Sequence, residues 1–118
     1  MASHNDLGKK GEGLAMIWLK EHGYEMIFQN WRYSHYEVDI IARKDEVLHF
    51  IEVKARRSDR FGYPEDAVDN KKIQNLINAA EEFLYQFPVW KRIQFNVLSI
   101  SLKQDGLHEY FFIEDVYL

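Results

Sequence analysis

The sequence predicts one α/β domain over residues 1–118, built as a mixed central sheet flanked by helices. Two segments have apolar residues at helical spacing, and five others have the β-branched and aromatic composition of strands. Their order is αβββαββ, which is typical of helices packed on a mixed sheet. At 118 residues and 47% hydrophobic, the chain has enough material for one core.

The first helix is predicted from about Asp6 to His22. Asn5 or Asp6 can cap its start, and Gly23 suits its end. Its apolar face comprises Leu7, Gly11, Leu14, Ala15 and Trp18. The small residues on this face predict a close approach to the neighbouring element.

Three strands are predicted next. The first is the segment "YEMIFQNWRY", and the segment "YEVDIIARKDEVLHFIEVKA" contains two more around a tight turn near Asp45 and Glu46. If these two residues form the whole loop, Lys44 pairs with Val47. The register of the hairpin then follows by counting.

The loop "RRSDRFGYPED" precedes a second helix, which is predicted to begin near Asp69 or Asn70 and to end at Pro88. Its predicted apolar face comprises Ile73, Leu76, Ile77, Ala80, Leu84 and Phe87. The fourth strand is "KRIQFNVLSISL". The fifth is "LHEYFFI", which follows a turn at Asp105 and Gly106.

The hairpin register predicts a cluster of charges. Asp39 lies directly across from Glu52, and opposed residues share a face with Cβ atoms about 5 Å apart. Lys54 lies two residues beyond Glu52 and shares the same face. Adjacent carboxylates repel each other and lose hydration, and Mg²⁺ or Mn²⁺ would relieve both costs. Lys54 could then orient or help deprotonate a water, or offset charge on a phosphate.

A simpler interpretation remains open. Asp39 could form a salt bridge with Lys54, and Glu52 could lie at a solvated edge of the sheet. Glu12 adds weight to the catalytic interpretation, because on the first helix it flanks the apolar stripe in line with Gly8 and Ala15. The alternative interpretation is that Glu12 is a solvated glutamate on the surface of the helix.

Composition limits the function classes. The sequence has no cysteine, which excludes disulfides, thiolate catalysis and cysteine-bound zinc. We find no stretch of roughly 20 apolar residues and no apolar segment typical of a signal peptide, so we expect a cytoplasmic protein that does not enter membranes. The net charge of −4 conceals a local basic cluster that includes Arg56, Arg57 and Arg60. We expect this cluster to bind phosphate. The alternative interpretation is a basic loop that is simply solvated.

Several segments together resemble the YraN family of small bacterial proteins: "GKKGEGLAMIWLKEHGYEMIFQNWR", "EVDIIAR", "FIEVKAR" and "FGYPEDAV". That family is similar to restriction-endonuclease-like nucleases of the PD-(D/E)XK type, close to archaeal Holliday junction resolvases. The resemblance implies Glu12 as the helix-borne acid, Asp39 as the first motif acid, and Glu52 and Lys54 as the E-x-K pair. It also implies Lys72 as a phosphate contact.

The sequence departs from the family pattern in three places. Val38 stands where the motif's name has proline, Tyr36 replaces a usual glycine, and Asn96 replaces a usual aspartate. The last change argues against a ligand from the fourth strand. The acids of the core motif are intact.

The leading hypothesis is a Mg²⁺- or Mn²⁺-dependent endonuclease. DNA is favoured over RNA as its substrate, with branched or flapped structures as candidates, but the sequence does not decide between DNA and RNA. Asp39 and Glu52 would hold the metal, with Glu12 and Lys54 completing the catalytic set. The first rival is a nucleic-acid-binding module of the same fold that has weak or no turnover. The second rival is an interaction domain whose charges are structural. The small size of the chain leaves a homodimer open.

Overall fold

A computed structural model describes residues 4–57 and 69–116. Within these residues the chain forms two helices and five strands in the predicted order αβββαββ. The elements are α1 (His4–Glu21), β1 (Glu25–Tyr33), β2 (Tyr36–Lys44), β3 (Val47–Arg57), α2 (Asn70–Gln86), β4 (Ile93–Leu102) and β5 (Glu109–Ile113). The predicted α/β class is confirmed.

The five strands form one mixed sheet in the order β1-β2-β3-β4-β5. Neighbouring strands are antiparallel except β3 and β4, which are parallel and are joined through α2. A parallel pair needs such a crossover, because the chain must return to the starting end of the sheet. The same end of the sheet therefore carries the β1–β2 turn, the end of β3 and the start of α2.

The two helices cover opposite faces of the sheet. Around α1, the core includes Ala15 and Leu19 against Ile40 and Ile51. Gly11 allows this close approach, since a Cβ atom built on it would lie 2.5 Å from Cβ of Ala55. α1 begins at His4, two residues before the predicted start, so Asp6 lies in its first turn instead of capping it.

The second helix begins and ends as predicted. Asp69 is its N-cap, and its side chain accepts hydrogen bonds from the backbone N–H groups of Lys71 and Lys72. The predicted apolar face was partly wrong, because Ala79 and Phe83 are buried while Phe87 is 39% exposed. Phe83 packs edge-on against the rings of Phe28, Trp31 and Phe50, and these contacts with the sheet set the rotation of α2.

The β2–β3 hairpin has the predicted two-residue loop. Asp45 and Glu46 both have positive φ, 53° and 67°, as a type I′ turn requires. Lys44 pairs with Val47, and the pairing continues to Ile40 and Ile51. The predicted register is therefore confirmed, and the next position along it is that of Asp39 and Glu52.

Two further predictions concern the loop and membranes. Arg60, together with Phe61 and Tyr63 in the same predicted loop, lies outside the described residues. Neither of the two helices in the described part of the chain is long and apolar enough to cross a membrane.

Candidate active site

A cavity of about 450 Å³ opens at the end of the sheet where α1 and α2 both begin. It contains all four residues predicted to be catalytic, and also Lys72. Its lining comprises Gly8, Glu12, His35, Glu37, Asp39, Glu52, Val53, Lys54, Ala55, Lys72, Asn75 and Leu76. The fold therefore collects acids and lysines from β2, β3 and both helices into one site.

The position of Asp39 follows from where the β2–β3 pairing stops. The backbone register runs as far as Ile40 and Ile51, and beyond it the N–H of Val53 donates to Oδ2 of Asp39 at 2.8 Å. A side-chain carboxylate thus takes the place of a strand carbonyl as acceptor. This bond holds Asp39 against β3 at the wall of the cavity.

Asp39 is the most perturbed acid of the cavity. Burial raises its pKa to about 7, and the charges of Glu52, Glu12 and Glu37 act in the same direction. The hydrogen bond from Val53 opposes the shift without cancelling it. The cavity therefore disfavours a full set of negative charges, and a cation would stabilise the ionised form of Asp39.

Glu52 has lysine partners on two elements. Its Oε1 lies 3.7 Å from Nζ of Lys54 on β3 and 3.7 Å from Nζ of Lys72 in the first turn of α2. Burial nevertheless raises the pKa of Glu52, although Lys72 opposes the shift, and the charge of Asp69 raises it further. The simpler interpretation, a bridge from Asp39 to Lys54, is not the arrangement found, since Lys54 pairs with Glu52.

Glu12 reaches the cavity because of the close packing of α1 on β3. Gly11, the preceding residue, is buried against Ala55, and this contact fixes the rotation of the helix. Glu12 is half-buried, and its charge contributes to the raised pKa of Asp39. The prediction that Glu12 flanks the acidic face agrees with this position.

Three polar side chains of the lining were not predicted as part of the site: His35, Glu37 and Asn75. Glu37 lies two residues before Asp39 on the same strand, and this spacing could have indicated it. Asn75 follows Lys72 by three residues, so the two share a helix face. His35 lies in the β1–β2 turn and comes to the cavity only through the packing of the strands.

Asn96 and His49 form a separate buried group. Nδ2 of Asn96 and Nδ1 of His49 are 2.9 Å apart, and Oδ1 of Asn96 accepts from the side chain of Gln94 and from the backbone N–H of Asp115. Asn96 is 0% exposed, and neither residue lines the cavity. The structure thus gives Asn96 the role of holding the segment after β5 against the sheet.

The carboxylates of the cavity do not form a complete metal shell. Among residues 4–57 and 69–116, no group of three or more His, Asp or Glu side chains is arranged to hold a metal ion. A hard divalent cation commonly takes one or two carboxylates and completes its shell with water and substrate phosphate. The donor set of Asp39 and Glu52 therefore fits Mg²⁺ and does not fit a closed structural site.

Comparison with known proteins identifies the family. The model for "Uncharacterised protein family UPF0102" matches residues 11–100. A UPF0102 protein of Parabacteroides distasonis is 41% identical over 106 residues, which cover 90% of this chain and 88% of the relative. One from Bacteroides thetaiotaomicron is 41% identical over 100 residues, covering 85% and 83%, and one from Flavobacterium johnsoniae is 48% identical over 84 residues, covering 71% and 68%. The chain belongs to the UPF0102 family, which is the YraN family, so the predicted resemblance is confirmed.

Proposed function

We propose that this member of the UPF0102 family is a metal-dependent nuclease that hydrolyses phosphodiester bonds, in DNA rather than RNA. The observation that carries the proposal is the cavity in which Asp39, Glu52 and Glu12 meet Lys54 and Lys72. Two part-buried carboxyls with raised pKa values beside lysines are typical of a site that binds cations and polyanions. The same proposal assigns the domain to the restriction-endonuclease-like class.

Asp39 and Glu52 are the residues that would hold Mg²⁺ or Mn²⁺. Asp39 is fixed by the Val53 amide, and Glu52 projects from the neighbouring strand into the same cavity. A bound ion would supply Lewis-acid stabilisation of the phosphate and of an attacking water. It would also lower the cost of keeping both carboxyls ionised.

The remaining residues act on the substrate. Hydrolysis forms a bond from a water oxygen to phosphorus and breaks the bond from phosphorus to a sugar oxygen, which takes up a proton. Lys54 lies next to Glu52 and would stabilise the negative charge that develops on the phosphate. Lys72 would hold a phosphate oxygen from the side of α2, and Glu12 would accept a hydrogen bond from the water.

The metal site predicts a change in thermal stability. Mg²⁺ or Mn²⁺ at ten times its Kd should raise the melting temperature by roughly 4 to 8 °C, because it binds the folded state alone. Glu52→Gln should raise the melting temperature of the metal-free protein and abolish the effect of metal. Differential scanning fluorimetry with and without a chelator measures both.

Glu81→Gln is the control for the metal experiment. Glu81 is an exposed acid on α2 outside the cavity, so its neutralisation should leave the response to metal unchanged. A wild-type melting curve that millimolar Mn²⁺ does not move would contradict the metal site.

The basic end of β3 predicts how affinity depends on salt. Arg56 and Arg57 end the strand that carries Glu52 and Lys54. If each meets a phosphate, replacing both with alanine should weaken binding of nucleic acid. It should also reduce the slope of log affinity against log salt by roughly two. Fluorescence anisotropy with labelled DNA at several salt concentrations measures the slope.

The chain offers a charge-matched control for this experiment. Lys91 and Arg92 are likewise an adjacent basic pair, and both are exposed, but they precede β4 at the opposite end of the sheet. Their double alanine variant changes the net charge equally and should retain the wild-type slope. Equal losses in the two double variants would mean that net charge, and no local contact, governs binding.

A binding module with weak or no turnover is the second candidate function. It is favoured by the ion pairs of Glu52, whose Oε1 already has two lysines at 3.7 Å without any metal. If the protein is such a module, it would bind DNA with the salt dependence predicted above but would cut no substrate in Mg²⁺ or Mn²⁺. The nuclease requires cleavage, so an activity panel of single-stranded, duplex, flapped and four-way DNA separates the nuclease from the binding module.

The sequence also left a homodimer open. Sedimentation of the DNA complex would show whether two copies of the chain bind together.

A further inference from the structure

The β1–β2 turn presents aromatic rings at the edge of the catalytic cavity. Tyr33 pairs with Tyr36, so Ser34 and His35 form a two-residue loop. The rings of His35 and Tyr36 have centroids 4.2 Å apart, and Tyr33 is 46% exposed. This turn therefore offers ring faces to a ligand that enters the cavity.

The rings connect the cavity to a second groove. His35 lines the cavity that contains Asp39 and Glu52. Tyr36, which touches His35, lines a groove of about 460 Å³ between the β1–β2 hairpin and α2. The rest of that groove is formed by Tyr33, Asn78, Glu81, Glu82 and Tyr85. A ligand whose phosphate lies in the cavity can thus extend past the contacting rings of His35 and Tyr36 into the groove.

The chemistry of the groove selects which part of a nucleic acid enters it. Glu81 and Glu82 repel phosphate groups, so the sugar–phosphate backbone is favoured on the basic side, near Lys72 and Arg57. Tyrosine faces and the Asn78 amide suit a flat, uncharged ring with hydrogen-bonding edges. Nucleobases have these properties, and an aromatic side chain can stack on any of them.

A base inside a duplex is covered by its neighbours on both faces. Only an unpaired or frayed base can lie on the rings of the β1–β2 turn while its phosphate occupies the cavity. We infer that the β1–β2 turn is a stacking platform for an unpaired base beside the bond to be cut. The inference rests on the proposed function and narrows its substrate class to single-stranded, flapped or otherwise unpaired nucleic acid.

The test measures the affinity for oligonucleotides in the presence of a chelator, which removes the metal and so prevents cleavage. The full chain is titrated by fluorescence anisotropy into a labelled single strand, a blunt duplex and a duplex with a single-stranded flap, each as DNA and as RNA. The double variant Tyr33→Ala/His35→Ala should lose about fivefold to a hundredfold in affinity for the single strand and the flap. Its affinity for the blunt duplex should be unchanged.

Two further variants isolate the contribution of the rings. Tyr33→Phe/His35→Phe keeps both ring faces and should retain wild-type affinity. If binding depended on the histidine charge or the tyrosine hydroxyl, this variant would lose affinity as well. Phe111→Ala removes a ring of similar exposure, 36%, from the opposite edge strand β5 and should change nothing. A 2-aminopurine base in the single strand should be quenched on binding by the wild type and the phenylalanine variant, and less by the alanine variant.

Together, the binding and cleavage measurements separate the platform from the nuclease. An equal loss on the blunt duplex, no loss on the flap, or no binding of any oligonucleotide by the wild type would overturn the platform. In the last case a protein partner becomes the better occupant of the groove. Ring-dependent binding without cleavage in Mg²⁺ or Mn²⁺ would support the platform and contradict the nuclease.

Discussion

Lys54→Met is expected to reduce the rate of cleavage at least about a hundredfold while metal binding persists. Methionine keeps much of the side-chain volume and removes only the charge. Lys54 is no metal ligand, and its ammonium lies 3.7 Å from the carboxylate of Glu52, in the cavity where the phosphate would lie. Its effect should therefore fall on the transition state, where one positioned electrostatic or acid–base group typically contributes that factor.

The measurement is single-turnover cleavage of the preferred DNA substrate, together with affinity measured in a chelator. Affinity should weaken only modestly, so the loss appears in the rate. Lys71→Met is the matched control, because Lys71 is an exposed lysine of the same helix turn as Lys72 but does not line the cavity. If Lys54→Met cuts as fast as the wild type, the chemistry assigned to Glu52 and Lys54 is wrong, whatever the fold of the chain.

Much of this site could be predicted because it depends on local rules. The two-residue turn at Asp45 and Glu46 sets the register of β2 and β3, and the register brings Asp39 to Glu52. The alternation of a strand places Lys54 beside Glu52. Helical spacing placed Glu12 next to the buried stripe of α1. Each step needs only neighbours in the sequence or one hairpin.

The parts that could not be predicted depend on contacts between distant segments. His35 becomes a cavity residue because the β1–β2 turn lies at the same end of the sheet as the start of α2. The rotation of α2 was misjudged because it is set by Phe83 packing on three rings from two strands, β1 and β3. The point where β2 and β3 cease to pair was also missed, since the pattern of residues continues past Ile40 and Ile51 without a break.

The site and the stability of the domain are in conflict. Asp39 and Glu52 are part-buried in the same cavity, and both have raised pKa values before any cation binds. A domain selected for stability alone would place apolar or amide side chains there, since buried charges cost free energy. The acids are therefore better explained by binding than by folding, and this can be measured without any substrate.

Asp39→Asn is expected to stabilise the metal-free protein, and the gain should grow with pH. The folded pKa of Asp39 is about 7 against an ordinary value of 3.8, so between those values the folded state binds a proton that the unfolded state has released. Stability of the wild type must then fall as pH rises through this window and level off above it. Asparagine has no proton to lose and can still accept the hydrogen bond from Val53. The two proteins should be alike near pH 4 and differ by about 2–4 kcal/mol at pH 8.

Urea unfolding in a chelator across this pH range gives the difference directly, with Glu81→Gln as the control for removal of an exposed charge. The pKa of Glu52 is also raised, so Glu52 contributes to the pH dependence of stability in both proteins. Variant and wild type are therefore compared at each pH, where the contribution of Glu52 cancels to first order. Saturating Mg²⁺ should erase the pH-dependent advantage of asparagine, because the ion stabilises ionised Asp39 only. An Asp39→Asn protein no more stable than the wild type at pH 8 would mean that Asp39 is solvated, and the argument for a cation in this cavity would lose its physical basis.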